Sequence, residues 1–541
     1  MSVDLMLKEV IQKALEQLGV NVSTDRIVIE RSKEKIHGDY ATNVAMQMAK
    51  ELHKNPLVIA EELVGAMDKS SFEKVEVVRP GFINFFMKSE SLSDVITKIL
   101  SEEDHFGDSN YGKHQRINVE FVSANPTGDL HLGHARGAAI GDTICRLYSK
   151  VGYDVTREFY VNDAGNQITN LGKSIRARYH QLFGDHIEVP EDGYHGADLI
   201  EIAKTMKEEV GDKYLTDTPE SENYFKRHGA ELELQKLDRD LKDFGVYFDR
   251  YSFETAIRAN QGVEKVLEHT KEYCYEQDGA LFLKTSMFGD DKDRVIIKSD
   301  GSYTYLLPDI AYHLDKLSRN YVQLVDVLGA DHHGYINRMK AALMMFGYSR
   351  DVLDIELIQM VRLFKDGAEY KMSKRTGNAV SMRELCEEVG VDAVRYFFVA
   401  RAASAHLDFD LDLAREQSSA NPVYYAQYAY ARLYKVLNLA SDIDIELQGS
   451  LLTQAKEMDL MKHLSDYPKE VLDAACTRSP YKMVAYIQKL AGLIHGFYTE
   501  CRLIDREQLA ITKSRLALAK AASIVMKNAL SLIGVSAPKE M

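Results

Sequence analysis

The 541-residue chain is short of the features that would send it out of the cell or into a membrane. Its five cysteines (Cys145, Cys274, Cys386, Cys476 and Cys501) are odd in number and far apart. They make neither a disulfide framework nor a Cys-x-x-Cys zinc pattern, and they fit a reducing cytosol. No run of about 18 apolar residues occurs, which excludes a helical membrane span. Residues 1–8 carry no basic leader followed by an apolar stretch, which argues against secretion. Internal repeats and low-complexity tracts are absent. Positive charge is short as well: 67 Lys+Arg stand against 82 Asp+Glu, a formal net charge of −15. Taken as a total, that deficit counts against a nucleic-acid partner.

The distribution of charge points the other way. Residues 420–541 hold 15 cationic and 12 acidic side chains, so this end is +3 while the rest of the chain carries −18. Asymmetry of sign within a chain is more informative than its sum. The length itself predicts several domains, at roughly 150 residues for each.

Along the chain, Leu7, Val10, Ile11, Ala14, Leu15 and Leu18 recur at helical spacing and Gly19 ends the run. Strands are expected at 26–30, 75–78 and 82–86, so residues 1–112 read as an α+β module. At Ile117 a strand (117–122), a turn-rich loop (123–129) and a helix from Leu130 open a βαβ unit. The charged stretch 176–293 reads as a mostly helical insertion, with the stripe Leu234, Leu237, Leu241 and Phe244 stopped by Gly245. Strands resume at 295–298, 322–328 and 357–363. From Ser381, whose spacing to Glu384 makes a capping box, the pattern is almost wholly helical.

Two motifs carry chemistry. His131-Leu132-Gly133-His134 sits where the first loop becomes a helix. Residues three apart share a helix face, and a helix start with free N–H groups attracts anions. Two imidazoles there can donate to phosphate oxygens, although a match this short also suits a metal pair or chance. Lys371-Met372-Ser373-Lys374-Arg375 follows a hairpin that turns at Lys365-Asp366-Gly367. Its cations suit a clamp on polyphosphate; a solvated basic loop is the bland alternative.

Together, in this order and these contexts, the two motifs resemble the signature pair of class I aminoacyl-tRNA synthetases. Glu120–Gly128, Asp163-Ala164-Gly165-Asn166-Gln167, Gly329–Gly334, Asp392-Ala393-Val394-Arg395 and Tyr425–Arg432 are similar to arginyl-tRNA synthetases through nearly the whole chain. The resemblance implies an α/β architecture. A Rossmann-like parallel-sheet catalytic domain (113–400, with the insertion) would lie between an additional N-terminal α+β domain (1–112) and an all-α anticodon-binding domain (401–541). It implies ATP with Mg²⁺, L-arginine and tRNA(Arg) as partners, no protein-bound zinc, a cytoplasmic monomer, and tRNA bound before arginine is activated.

Residue roles follow from the resemblance. His131, Gly133, His134 and Lys374 would bind ATP, with Lys371 assisting and Arg375 standing where a serine is often found. A guanidinium pairs best with carboxylates, and Glu120 and Asp309 are the acceptors expected for it. Ser123 and Asn125 would hold the amino acid's polar head, while Tyr305, Asp309 and Asp331 recognise its side chain. Asn84, Tyr425, Tyr428, Arg432, Tyr498 and Met541 would touch tRNA, since aromatic rings beside a guanidinium form a platform for unstacked bases. Three rivals stay open at this point. They are a synthetase for another amino acid, a regulator that keeps the fold without catalysis, and a small-molecule nucleotidyltransferase. The last would have no use for a basic, aromatic helical end.

Overall fold

A computed structural model describes residues 3–32, 34–370 and 380–541. The N-terminal module is an antiparallel sheet in the order Ile29–Arg31, Tyr40–Thr42, Phe82–Met87, Phe72–Val78, with the helices Val3–Gln17, Val44–Leu52 and Pro56–Ala66 around it. The helix Ser89–Glu102 leads out of it and packs on the C-terminal helices Ala455–Cys476 and Leu509–Leu532. Arg31 reaches Asp466 at 2.7 Å and Lys527 reaches Asp104 at 3.1 Å, so the two ends of the chain meet.

The middle of the chain is built on a five-stranded parallel sheet. Its order is Leu353–Ile358, Gln323–Gly329, Arg116–Glu120, Asp154–Val161, Arg250–Phe253. The strand Arg116–Glu120 takes the centre because Ile117, Val119 and Phe121 are fully buried. It feeds the helix Leu132–Lys150 across one face, as a βαβ opening should. Gly141 lets that helix lie on the sheet, since a Cβ there would stand 2.4 Å from the Phe121 ring. Ligands of open parallel sheets bind at the carboxyl ends of the strands, and both larger cavities open there.

Several expectations change. The strand expected at 26–30 is a turn of 3₁₀ helix at Thr24–Arg26 followed by a strand at Ile29–Arg31. The helical insertion runs earlier than expected, through Gly165–Gln181, Asp198–Val210 and Pro219–Asp243, around its own apolar core. Residues beyond it return to the sheet as the strand Arg250–Phe253, an edge strand of four residues, too short to announce itself by alternation. Next comes a small antiparallel sheet of Arg294–Ile297, Ala280–Leu283 and Cys274–Gln277.

The single strand expected at 357–363 is two, Leu353–Ile358 and Val361–Lys365, in different sheets. Between them the backbone of Gln359 donates to Ala403 O at 3.0 Å, a partner far along the chain. Residues Leu407–Asp410, expected to be helical, pair in parallel with Val361–Lys365. The hairpin turn is Asp366-Gly367, both at positive φ (52° and 74°) as a two-residue turn requires. The capping box forms: Ser381 Oγ accepts from Glu384 N, and the Glu384 carboxylate accepts from Ser381 N at 3.0 Å.

The Asp392-Ala393-Val394-Arg395 stretch is a structural junction. Arg395 is fully buried, donating to Asp142 at 2.5 Å, to Phe244 O and to Ile533 O. It ties the helix behind the central strand to the end of the insertion and to the last turn of the chain. Among the described residues no helix is long and apolar enough to cross a membrane.

Candidate active site

A cavity of about 960 Å³ opens at the carboxyl ends of the central strands. Glu120, Ser123, Asn125, His131, Gly133, His134, Tyr305, Asp309 and Asp331 all line it. Residues from both halves of the chain are thus brought to one place. Lys371 and Lys374 lie outside the described residues. The hairpin that leads to them borders an adjoining cavity of about 340 Å³ shared with His131, Gly133 and Met360.

The two histidines form one device. Their rings stack with centroids 3.6 Å apart. His131 Nδ1 accepts from the backbone N–H of Gly133 (3.0 Å) and of His134 (3.3 Å), capping the helix. His134 Nδ1 in turn accepts from His131 N at 3.4 Å. With both Nδ1 atoms used as acceptors, each neutral ring carries its proton on Nε2. Burial lowers both pKa values, and the neighbouring His131 helps to bring His134 down to about 3. The pair is therefore neutral near pH 7 and offers two Nε2–H donors at a helix start.

At the other end of the cavity the floor is made of charge. Lys316, fully buried, lies between Glu120 and Asp326, 2.9 Å from the latter. His313 contacts Asp309 O (2.8 Å) through Nδ1 and Asp326 Oδ2 (2.7 Å) through Nε2. Both partners are acceptors, so both ring nitrogens must donate and His313 is an imidazolium. Its pKa is raised accordingly: burial works against the charge, but Asp326 outweighs it. Beneath, Arg319 grips Glu158 with two bonds of 2.7 and 2.9 Å. In this layer three cations (His313, Lys316, Arg319) meet three carboxylates (Glu120, Glu158, Asp326).

Asp309 is left over. Its carboxylate has no ion pair among the described residues, and burial together with Glu120, Glu254 and Asp326 pushes its pKa up to about 7 despite His313 nearby. One cation is missing from the balance, and the cavity is where it would come from.

The remaining expected residues fall into place differently. Ser123 is engaged: its Oγ donates to Glu120 (2.8 Å) and accepts from Tyr160 N (3.0 Å). It sits in a turn where Val122 and Ser123 have φ of 69° and 39°, an unfavourable conformation for a β-branched valine that is held by these bonds. Asn125 donates to Gln167 at 2.5 Å. Tyr305 is 86% exposed at the entrance to the helix Leu306–Ser318, and the Asp331 side chain is 83% exposed at the rim. Neither belongs to the floor.

Lys316, His313, Asp326, Glu158 and Arg319 were not anticipated from the sequence. The spacing of Asp309, His313 and Lys316 on one helix face was the available signal, but Asp326 comes from another strand. Among the described residues no group of three His, Cys, Asp or Glu side chains is arranged to hold a metal ion.

Of the residues expected to face RNA, Tyr428, Arg432 and Tyr498 come together. The Arg432 guanidinium lies 4.0 Å from the Tyr498 ring centre and 5.1 Å from that of Tyr428, and Nη1 is 3.2 Å from His495 Nδ1. Tyr425 packs against the His495 ring. Met541 lines a different cavity, with Tyr424 and Asp392. Asn84 is 4% exposed in the middle of the N-terminal sheet, which leaves little of it to touch another molecule.

Comparison with known proteins agrees over the full length. Residues 5–87 match the family described as "Arginyl tRNA synthetase N terminal domain", 95–398 "tRNA synthetases class I (R), catalytic domain", and 426–541 "DALR anticodon binding domain". The chain is 50% identical to an arginine–tRNA ligase of Bacillus subtilis over 548 aligned positions, covering 99% of this chain and 98% of that one. The corresponding figures for an arginine–tRNA ligase of Geobacillus kaustophilus are the same. Among solved structures, a putative arginyl-tRNA synthetase from Campylobacter jejuni superposes with a TM-score of 0.78 at 35% identity, covering 84% of this chain and all of that one. The Thermus thermophilus arginyl-tRNA synthetase, at 22% identity, shares the fold over the whole of both chains with a TM-score of 0.77.

Proposed function

The chain belongs to the arginyl-tRNA synthetase family, and on that premise we propose how its residues divide the work. The reaction is that of an arginine–tRNA ligase. L-Arginine is activated with ATP to arginyl-adenylate, and arginine is then transferred to the 3′-terminal adenosine of tRNA(Arg), releasing AMP and pyrophosphate.

The observation that carries the assignment is the surplus carboxylate Asp309 beside a layer whose other charges are already paired. Arginine enters with its guanidinium toward Asp309 and Glu120. Lys316 and Ser123 hold Glu120 in place, and Tyr305 covers the entrance. Asn125 steadies the polar head. Asp331, exposed at the rim, makes the weakest of these contacts. This orientation leaves the substrate carboxylate toward His131 and His134, where the α-phosphate of ATP lies, with adenosine over Gly133.

The arginine carboxylate is already ionised, so no protein base is needed. It attacks the α-phosphorus in line, and pyrophosphate leaves toward Lys374, assisted by Lys371. The two Nε2–H groups stabilise charge building on the phosphate oxygens, so the site works by positioning and electrostatics. Mg²⁺ arrives as the counter-ion of ATP, held mostly by phosphates and water. A 2′-hydroxyl of the terminal adenosine then attacks the activated carbonyl and displaces AMP. Tyr428, Arg432 and Tyr498 receive anticodon bases, with Tyr425 and Met541 at the edges of that surface and Asn84 supporting the N-terminal contact to the tRNA body. The enzyme acts as a monomer in the cytoplasm and activates arginine only with tRNA bound.

Pyrophosphate exchange measured with each amino acid, with and without tRNA(Arg), tests the whole reading. Arginine alone should support exchange, and only with tRNA; exchange with another amino acid sinks it. Lys374→Ala should abolish adenylate formation while arginine still binds, and near-normal single-turnover activation would remove Lys374 from its role.

A further inference from the structure

Arg136 is a fully buried cation with no carboxylate paired to it among the described residues. It lies two residues beyond His134 on the helix Leu132–Lys150, and the next residue, Gly137, lines the active-site cavity. Its guanidinium donates to backbone carbonyls: Nη1 to Gln359 O and Ala405 O, both at 2.8 Å, and Nη2 to Ala402 O at 2.9 Å. Nε finds no acceptor. Burial pushes its pKa down to about 10, so the side chain stays charged at neutral pH. Arg395, equally buried, has Asp142 as its counter-ion.

A buried charge with neutral partners is a poor source of stability, and an apolar side chain of similar volume often does as well. What the guanidinium adds is direction. Its planar fork fixes several acceptors at once, which a lysine cannot do. The acceptors it holds are therefore informative.

Gln359 stands where the chain passes from one sheet to another. The ladder of Leu353–Ile358 ends at Ile358, and that of Val361–Lys365 begins at Val361. Ala402 and Ala405 belong to the loop just before Leu407–Asp410, the strand that pairs with Val361–Lys365. One guanidinium thus holds both strands of the hairpin's sheet at the point where they enter it.

A second tie lies beyond the hairpin. His131 and Ser381 form a backbone bridge, and Met382 N donates to Leu130 O at 2.7 Å. The hairpin is therefore fixed to the histidine segment both before it begins and after it ends. Between the ties lies the cavity of about 340 Å³, with His131 and Gly133 on one wall and Met360, Val361, Leu363 and Tyr370 on the other.

We infer that Arg136 is a positioning residue for arginine activation, setting the hairpin at the distance from His131 and His134 that admits ATP between them. It touches no substrate and acts through the backbone of Gln359, whose neighbour Met360 lines both cavities. The bridge at Ser381 fixes one side of the smaller cavity and Arg136 fixes the other. This inference deepens the function proposed above and rests on adenosine lying over Gly133.

The test compares the full-length wild type with Arg136→Lys, which keeps the charge, and Arg136→Gln, which removes it. Pyrophosphate exchange is measured with tRNA(Arg) present, arginine affinity by calorimetry, and backbone hydrogen exchange by mass spectrometry. Both variants should show KM for ATP raised roughly tenfold and kcat lowered about 100-fold, the scale of a misplacement by about 1 Å. Arginine should bind as it does to the wild type. Residues 359–365 should exchange faster than in the wild type, while the helix 132–150 should not. A side chain that only supports the fold would reduce the fraction of active enzyme, lowering kcat and leaving every KM alone. That result would overturn the inference, as would an equal rise in KM for arginine or normal kinetics in Arg136→Lys. Should neither variant fold, the wild type still decides: residues 359–365 ought to exchange as slowly as 132–140, and faster exchange there would overturn the inference. A wild-type protein without arginine-dependent exchange would instead overturn the reading beneath it.

Discussion

Of the places in this molecule where a cation lies over a tyrosine ring, two differ sharply in their access to water. Lys316 Nζ lies 4.5 Å from the Tyr312 ring centre, fully buried, with Glu120 and Asp326 as partners. Arg432 lies 4.0 Å from that of Tyr498 on a half-buried helix face of the C-terminal domain, beside Tyr428 and a neutral histidine and with no carboxylate partner among the described residues. Away from water a charge must be matched in place, because an unpaired one is very costly. Lys316 is therefore committed to holding Glu120 and Asp326 and has nothing to give a ligand. Arg432 keeps water on one side and can exchange it for RNA. Contacts of the same type serve construction in one region and, in the function proposed above, recognition in the other, with burial deciding which.

Breaking the buried side should cost the most. Lys316→Met leaves Glu120 and Asp326 facing each other across an apolar side chain, and unfolding in denaturant should show a loss of about 3–5 kcal/mol. A midpoint unchanged from wild type would mean that the layer is not held by this ion pair. Asp309→Asn keeps the shape and removes only the surplus charge. Arginine affinity should fall by roughly 10–100-fold, the scale of a charge-assisted hydrogen bond, with the thermal midpoint kept. An equal loss of affinity for ATP would argue for a structural role instead.

The same carboxylate sharpens the comparison through pH. Asp309 titrates near 7 in the empty enzyme, and a guanidinium binds its ionised form. Below that pH arginine must displace a proton, so its Kd should rise by about tenfold per unit of acidification and level off above pH 7. Calorimetry in buffers of different ionisation enthalpy should detect the released proton, and Asp309→Asn should flatten the profile. The exposed side should yield the smallest effect. Arg432→Met should weaken tRNA binding by about 1 kcal/mol or less, a severalfold change that shrinks with added salt, and leave stability untouched. A loss of stability like that of Lys316→Met would erase the distinction between the two regions.

Legibility in the sequence followed the range of the interactions. The helix start at His131, the Asp366-Gly367 turn and the Ser381–Glu384 capping box are local devices, made by neighbours in the chain, and each forms where its residues predict. The break at Gln359 and the strand Leu407–Asp410 depend on each other across tens of residues, so periodicity gave no warning of either. Asp309 could be singled out as an acceptor, yet its surplus charge could not be read, because its neighbours' partners come from other elements. Asn84 shows the reverse: a plausible surface residue in sequence, buried by the strand register that sets it opposite Ala41 and Glu76.

The sequence by itself determined the kind of chemistry: a histidine pair at a helix start, a lysine-rich loop after a hairpin, carboxylates suited to a guanidinium, and a basic aromatic end on an acidic body. Local spacing and residue type are enough for that, since hydrogen-bonding groups and charges are properties of the side chains themselves. Which charges are paired and which are free was decided only by the tertiary structure. Pairing and burial depend on what other segments bring within a few ångströms, and these set whether a lysine holds a floor together or waits for a phosphate.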